Sequence, residues 1–271
     1  MPRHHRRSGR TATVGRIVDR ERDDSWLLSL LHEAADVIAG SLGELERPVW
    51  GRAGNRPGQY HADLIADAAV VALLDAAGVG ALTEESGLHH PERSLLVVVD
   101  PLDGSTNAAY GLPWYAASLC AFDGDGPRAA VVADLARDVR FEAARGNGAR
   151  RNGLPVRPSG CDRVAEAVVG LSGWPPAHLG WLQYRALGAI ALDLCAVACG
   201  ALDGFVDCSP DAHGVWDYAG GLLVCEEAGA VVADAFARDL VIREPAVRRT
   251  PVAAATPALL EALVAARATY Q

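Results

Sequence analysis

Lysine is missing from this chain: all 25 of its basic side chains are arginine. In a sequence so rich in alanine and glycine, that absence reflects composition and carries no chemistry. No apolar stretch approaches the roughly 20 residues needed to cross a bilayer, and no membrane association is expected. The six cysteines form no Cys-x-x-Cys pair, and four of them lie in apolar runs. Reduced, buried thiols are expected. Cys195 and Cys199 stand one helical turn apart, but no second pair completes a metal site. There is no Ser-His-Asp or Cys-His signature and no internal repeat. The basic stretch from Met1 to Arg10 is not followed by an apolar signal core. Secretion is therefore not indicated, a cytoplasmic location is expected, and residues 1–24 read as a flexible basic tail. Positive charge is also in deficit. A formal net charge of −9 argues against nucleic acid as a partner. It leaves room for a small phosphorylated ligand, because bound cations can reverse the sign locally.

What is present suits one large domain or two closely joined halves: 271 residues, half of them hydrophobic. From Trp26 to Leu42, apolar residues recur at helical spacing, with Asp24 or Ser25 as a cap. A second helix is expected from Ala62 to Ala76. Leu95 to Val99 reads as a buried strand that ends in Asp100-Pro-Leu-Asp-Gly104. Tyr115 to Phe122, Ala129 to Val132 and Arg140 to Ala144 read as further strands, and Arg145 to Gly153 as a turn. Pro155 to Arg163 looks like a connector, which puts the boundary at 155/156: an α+β half over 25–155 and an α/β half over 156–271. In the second half, strands are expected at Val164 to Leu171, Gly204 to Val206 and Ala230 to Ala233. Helices are expected at Arg185 to Ala198, Trp216 to Ala228 with Gly229 past its end, and Pro257 to Ala266. This alternation predicts a layered α/β architecture.

The chemistry concentrates in carboxylates. Asp100 and Asp103 follow a buried strand directly, where open α/β sheets place their sites. Two carboxylates so close repel unless a cation sits between them or one is protonated. Hard oxygen ligands suit Mg²⁺. Gly104-Ser-Thr-Asn107 could present backbone N–H groups to a phosphate at a helix start. On these residues alone, an Asx-type turn with solvated carboxylates is an equal reading. Asp63 and Asp67, one turn apart, read alone as helix-surface charges. Glu84-Glu85 reads alone as a solvated pair, and Asp217 as a helix cap.

Taken in order, Asp63, Thr83-Glu84-Glu85-Ser86, Asp100-Pro-Leu-Asp-Gly-Ser-Thr-Asn107 and Trp216-Asp217 resemble the inositol monophosphatase family, one of the lithium-sensitive, metal-dependent sugar phosphatases. Arg145-Gly-Asn-Gly-Ala149, Gly188 through Cys195, Leu202-Asp-Gly204 and Glu227-Ala-Gly229 extend the resemblance over nearly the whole chain from residue 25. The resemblance implies an alternating α/β sandwich, a homodimer, and two or three Mg²⁺ ions. Their ligands would be Glu84, Asp100, the Leu102 carbonyl, Asp103 and Asp217. Asp63 and Ser105 would serve the attacking water. Gly104, Ser105 and Thr106 would meet the phosphate, with Gly188, Asp207 and Asp217 on the substrate. The implied reaction is in-line attack by metal-activated water on a small sugar or cyclitol phosphate, without a phosphoenzyme.

The chain departs from the family pattern in places. Thr83 stands where the family has Gly, Ser105 where it has Thr, and Gly220 where it commonly has Ala. The substrate-binding Glu of some members falls near Asp207 or Asp211, in a segment longer than in the animal enzymes, and the stretch from Leu171 to Arg185 is short. Fructose 1,6-bisphosphate, histidinol phosphate and adenosine 3′,5′-bisphosphate are alternative substrates for the same chemistry. A non-catalytic metal-binding relative is the alternative of a different class.

Overall fold

The computed structural model describes residues 22–56 and 58–270. Most of the expected basic tail lies outside the described residues. Helix α1 (Asp24–Gly43) is capped by Asp23, one residue earlier than expected: its carboxylate accepts the Trp26 N–H at 2.9 Å. A single turn, α2 (Arg47–Trp50), leads to α3 (His61–Ala76). Strands β1 (Gly80–Thr83), β2 (Gly87–His89) and β3 (Leu96–Asp103) precede the short helix α4 (Ser105–Tyr110). Strands β4 (Ala116–Asp123), β5 (Gly126–Asp134), β6 (Val139–Ala144), β7 (Ala149–Arg151) and β8 (Leu154–Pro155) then form a meander. All eight make one sheet in the order β2-β1-β3-β4-β5-β6-β7-β8, antiparallel throughout except for the parallel pair β1–β3.

The chain then crosses to a second sheet through a 3₁₀ turn (Val164–Glu166). Its strands are β9 (Val168–Ser172), β10 (Gln183–Arg185), β11 (Gly204–Asp207), β12 (Val231–Asp234) and β13 (Pro251–Ala254), in the order β10-β9-β11-β13-β12. Helices α5 (Ile190–Ala198), α6 (Val215–Ala228) and α7 (Pro257–Arg267) complete the described residues.

Alternation along the strands assigns the layers. In β3, Val97 and Val99 pack with α1 and α3, where Leu27, Leu31, Ile38, Val70 and Leu74 are fully buried. Leu96 and Val98 face the other way, into a core shared with Leu194 of α5, Leu222 of α6 and Phe205 of the second sheet. The far face of that sheet, with Val169, Val206 and Val252, is covered by Leu259 and Leu263 of α7. The order helix, sheet, helix, sheet, helix is the alternating sandwich that the resemblance implied. The middle layer sits tight. A Cβ on Gly221 of α6 would lie 2.6 Å from the Leu194 Cβ of α5, and one on Gly220 would lie 2.7 Å from the Ser118 Oγ of β4. The glycine at position 220 is therefore matched to Ser118 beneath it.

Several expectations needed correction. Arg145–Gly153 contains the strand β7 and is not a turn throughout. Val164 opens a 3₁₀ turn, and the strand begins only at Val168. Arg185 ends β10, so helix α5 begins five residues later, at Ile190. Strand β3 runs on through the Asp-Pro-Leu-Asp motif, made possible by a register shift between Asp100 and Asp103. Such a bulge accommodates Pro101, which has no N–H for the ladder.

Candidate active site

The carboxylates expected from sequence come together from four separate elements. Asp100 and Asp103 end β3. Glu84 follows β1, whose parallel pairing sets Thr83 beside Val99. Asp63 stands in the first turn of α3, and Asp217 in the first turn of α6. Carboxylate oxygens of Glu84, Asp100 and Asp217 lie within 4.8 Å of one another, although 133 residues separate the first from the last.

Four of the five acids are anchored by backbone. The Leu102 N–H donates to Asp100 Oδ1 at 3.0 Å, closing the bulge. The Ala191 N–H, at the start of α5, donates to Asp103 Oδ2 at 2.7 Å. Asp63 Oδ2 accepts the Tyr60 N–H at 2.8 Å, and Asp217 Oδ2 accepts the Gly214 N–H at 2.7 Å. Both are therefore helix-capping residues, as Asp217 alone suggested, and both also face the cluster. The other oxygen of Asp63 is buried without a hydrogen-bond partner. Gln59 and Arg56 hold Glu85 aside, which leaves Glu84 as the member of the pair in the cluster. Thr83 accepts the Ser86 N–H at 3.0 Å and so closes the turn between β1 and β2.

Crowding raises the proton affinity of the cluster. Burial, then the charges of Asp217, Glu85, Asp63 and Asp103, push Glu84 up to about 9. Burial, with Glu84, Asp103 and Asp217 nearby, lifts Asp100 well above the usual carboxylate range. Burial first, then Asp217, brings Asp103 to about 7, and burial also brings Asp63 to about 7. The close-set oxygens of Glu84, Asp100 and Asp217, all hard donors, with the unpartnered Asp63 oxygen beside them, fit a small divalent cation such as Mg²⁺.

The neighbouring backbone follows the same plan. Gly104, at φ +81°, caps α4, and a Cβ there would lie 2.9 Å from the Trp114 carbonyl oxygen. Ser105 and Thr106 form the first turn of α4, with the Thr106 hydroxyl 3.3 Å from that of Tyr60. Gly188, at φ +87°, lies against the Asn107 amide. Asp207 ends β11 fully buried, with one oxygen unpartnered. Asp211 turns away to pair with Arg238 at 2.7 Å.

Sequence reasoning missed His213. Its Nδ1 lies 3.3 Å from Asp217 Oδ2, and its Nε2 lies 3.7 Å from Asp207 and 3.2 Å from the Ser172 hydroxyl. Burial opposes its charge, but the bond to Asp217 and the charges of Asp217, Asp207 and Asp103 prevail and raise it to about 9. The signal available was a histidine four residues before a candidate ligand. Asp193 lies in the Gly188–Cys195 stretch that carried the resemblance, but no role was expected of it, although a lone acid inside the apolar run Ile190–Ala198 is conspicuous.

Residues 60–271 match the model of the inositol monophosphatase family, and the chain belongs to that family. It is 35% identical over 236 residues to an inositol-1-monophosphatase of Mesorhizobium japonicum, covering 78% of this chain and 86% of that protein. It is 34% identical over 194 residues to a fructose-1,6-bisphosphatase of Pyrococcus furiosus, covering 71% and 76%. The solved inositol monophosphatase from Anabaena (Nostoc) sp. PCC 7120 superposes with a TM-score of 0.75 at 25% identity, over 91% of this chain and 97% of that one.

Proposed function

We propose that this protein is a Mg²⁺-dependent phosphomonoesterase acting on inositol phosphate or a related small sugar or cyclitol phosphate. The observation that carries the reading is the convergence of Glu84, Asp100 and Asp217 within 4.8 Å, with Asp63 and Asp103 beside them. In this reading Glu84, Asp100, Asp103, Asp217 and the Leu102 carbonyl hold two or three Mg²⁺ ions. When bound, the metal supplies Lewis acidity toward the phosphate and lowers the pKa of water.

The chain's own groups do the rest. Asp63 is pinned by the Tyr60 N–H, so its free oxygen has a fixed aim and can accept a proton from a water held by the Ser105 hydroxyl. The backbone of Gly104, Ser105 and Thr106 opens α4 and receives the phosphate. In this reading Gly188 lies toward the sugar, Asp207 supports that side from beneath, and Asp217 serves both metal and substrate. The halves 25–155 and 156–271 contribute to one site, and the protein works in the cytoplasm as a homodimer. The fructose-1,6-bisphosphatase among its relatives favours fructose 1,6-bisphosphate as a second substrate candidate.

The test is phosphate release from a panel of inositol, sugar, histidinol and nucleotide phosphates, with and without Mg²⁺. Turnover that needs Mg²⁺ and prefers a cyclitol or sugar monophosphate is expected. No release from any member, with Mg²⁺ binding intact, would point instead to a non-catalytic metal-binding relative.

A further inference from the structure

We infer that Trp114 is a positioning residue for the metal centre, acting through Asp193. The inference rests on the proposed function. Trp114 lies on the segment between α4 and β4 and grips both sides of the site. Through its main chain, its carbonyl accepts the Asn107 Nδ2–H at 2.8 Å. The same amide donates to the Leu187 carbonyl at 2.7 Å, which ties α4 to the approach to α5. Through its side chain, the indole N–H donates to Asp193 Oδ1 at 3.0 Å. Asp193 stands in the first turn of α5, and Ala191 of that turn holds Asp103.

Trp114 therefore fixes the spacing between the α4 turn and the α5 turn, and with it the aim of Asp103. The bond to Asp193 matters because the ring packs against the core on one side but borders a cavity on the other. On its outer side the indole faces the Arg137 guanidinium, 4.5 Å from the ring centre, and a cavity of about 200 Å³ shared with Phe141, Arg151 and Cys199. Arg137 is itself held by Asp134 at 2.5 Å, so it forms a firm wall on one side only. Without its bond, the ring has room to swing outward. Asp193 would then be left buried beside Asp103 with no donor, a costly arrangement for a polar group.

The test is Mg²⁺ binding, measured by calorimetry and by displacement of Tb³⁺ luminescence, on the full chain. Trp114→Phe keeps a ring for Arg137 and removes the donor. Its Mg²⁺ dissociation constant is expected to rise about 10-fold, as when other groups that orient a metal ligand are lost. Its metal-free melting temperature should fall by several degrees, because Asp193 is left without a donor, while the chain stays folded at the temperature of the binding assay, and raised Mg²⁺ should restore kcat. Asp193→Asn keeps the acceptor and should bind within about 3-fold of the wild type, whereas Asp193→Leu should match Trp114→Phe. The double variant Trp114→Phe/Asp193→Leu should bind no more weakly than either single variant. A Trp114→Phe chain that binds Mg²⁺ as the wild type does overturns the inference alone. A wild type that takes up no Mg²⁺ removes the proposed function and this inference together.

Discussion

Asp63 and Asp217 occupy the same local position in two different parts of the molecule. Each is the third residue of its helix, and each accepts the N–H of the residue that caps it. Their surroundings then diverge. The remaining oxygen of Asp63 is buried with no hydrogen-bond partner, and the charge of Arg56 only partly offsets its burial. Asp217 is packed between Glu84, Asp100 and His213. One capping geometry thus delivers a carboxylate with a free oxygen to the mouth of the cluster and another to its centre. A capping role and a chemical role are compatible, because a carboxylate has two oxygens and the cap occupies one.

Substitution separates the two positions. The largest effect is expected for Asp217→Asn, which leaves the volume and the cap acceptor but removes a charge from the cluster. Turnover should fall by about 1,000-fold or more and Mg²⁺ affinity should fall with it, read by steady-state kinetics and calorimetry. Asp63→Asn should cost about 100-fold in kcat with Mg²⁺ affinity nearly unchanged, since loss of a proton acceptor affects the chemical step. If both variants lose metal equally, the two carboxylates share one role and the distinction collapses.

A smaller effect is a pH dependence of stability. Glu84, Asp100, Asp103 and Asp63 hold their protons to higher pH in the folded chain than in the unfolded one. Between the unfolded carboxylate value of about 4 and their folded values, the native state binds more protons, so stability falls as pH rises. Metal-free melting temperatures should decline from pH 5 to pH 8, and the rise produced by Mg²⁺ should grow over the same interval. A Mg²⁺ effect independent of pH would mean that the cluster carries no strained charge. The smallest effect is expected at Asp211, which faces Arg238 at the surface. Asp211→Ala should leave KM within about 2-fold, whereas Asp207→Asn should raise KM.

The helices were legible because burial on one face imposes a 3.6-residue period, and α1, α3 and α6 stand within two residues of the expected spans. The strands were legible where they are long and apolar. Of the four-residue strands, β11 and β12 were anticipated but β1 and β13 were not: Gly80-Ala-Leu-Thr83 and Pro251-Val-Ala-Ala254 lack the β-branched runs that mark strands, and their partners supply the stability. Arg185 to Gly188 resembled the start of a helix because it adjoins one, and only the pairing of Tyr184 with Val169 shows otherwise. At the site, resemblance supplied the acids that lie in motifs. His213, Asp193 and Trp114 stayed hidden because their meaning depends on neighbours distant in sequence: the Trp114 indole reaches its partner 79 residues away.

The middle helical layer has one more consequence. Its core joins Phe141 of one sheet to Phe205 and Ala253 of the other through α5 and α6, with Gly221 pressed against Leu194. A seam filled this way cannot act as a hinge, so the two sheets should melt together in one cooperative transition. By mass action, anything that binds at the seam then raises the melting point of the entire chain, far from the atoms it touches.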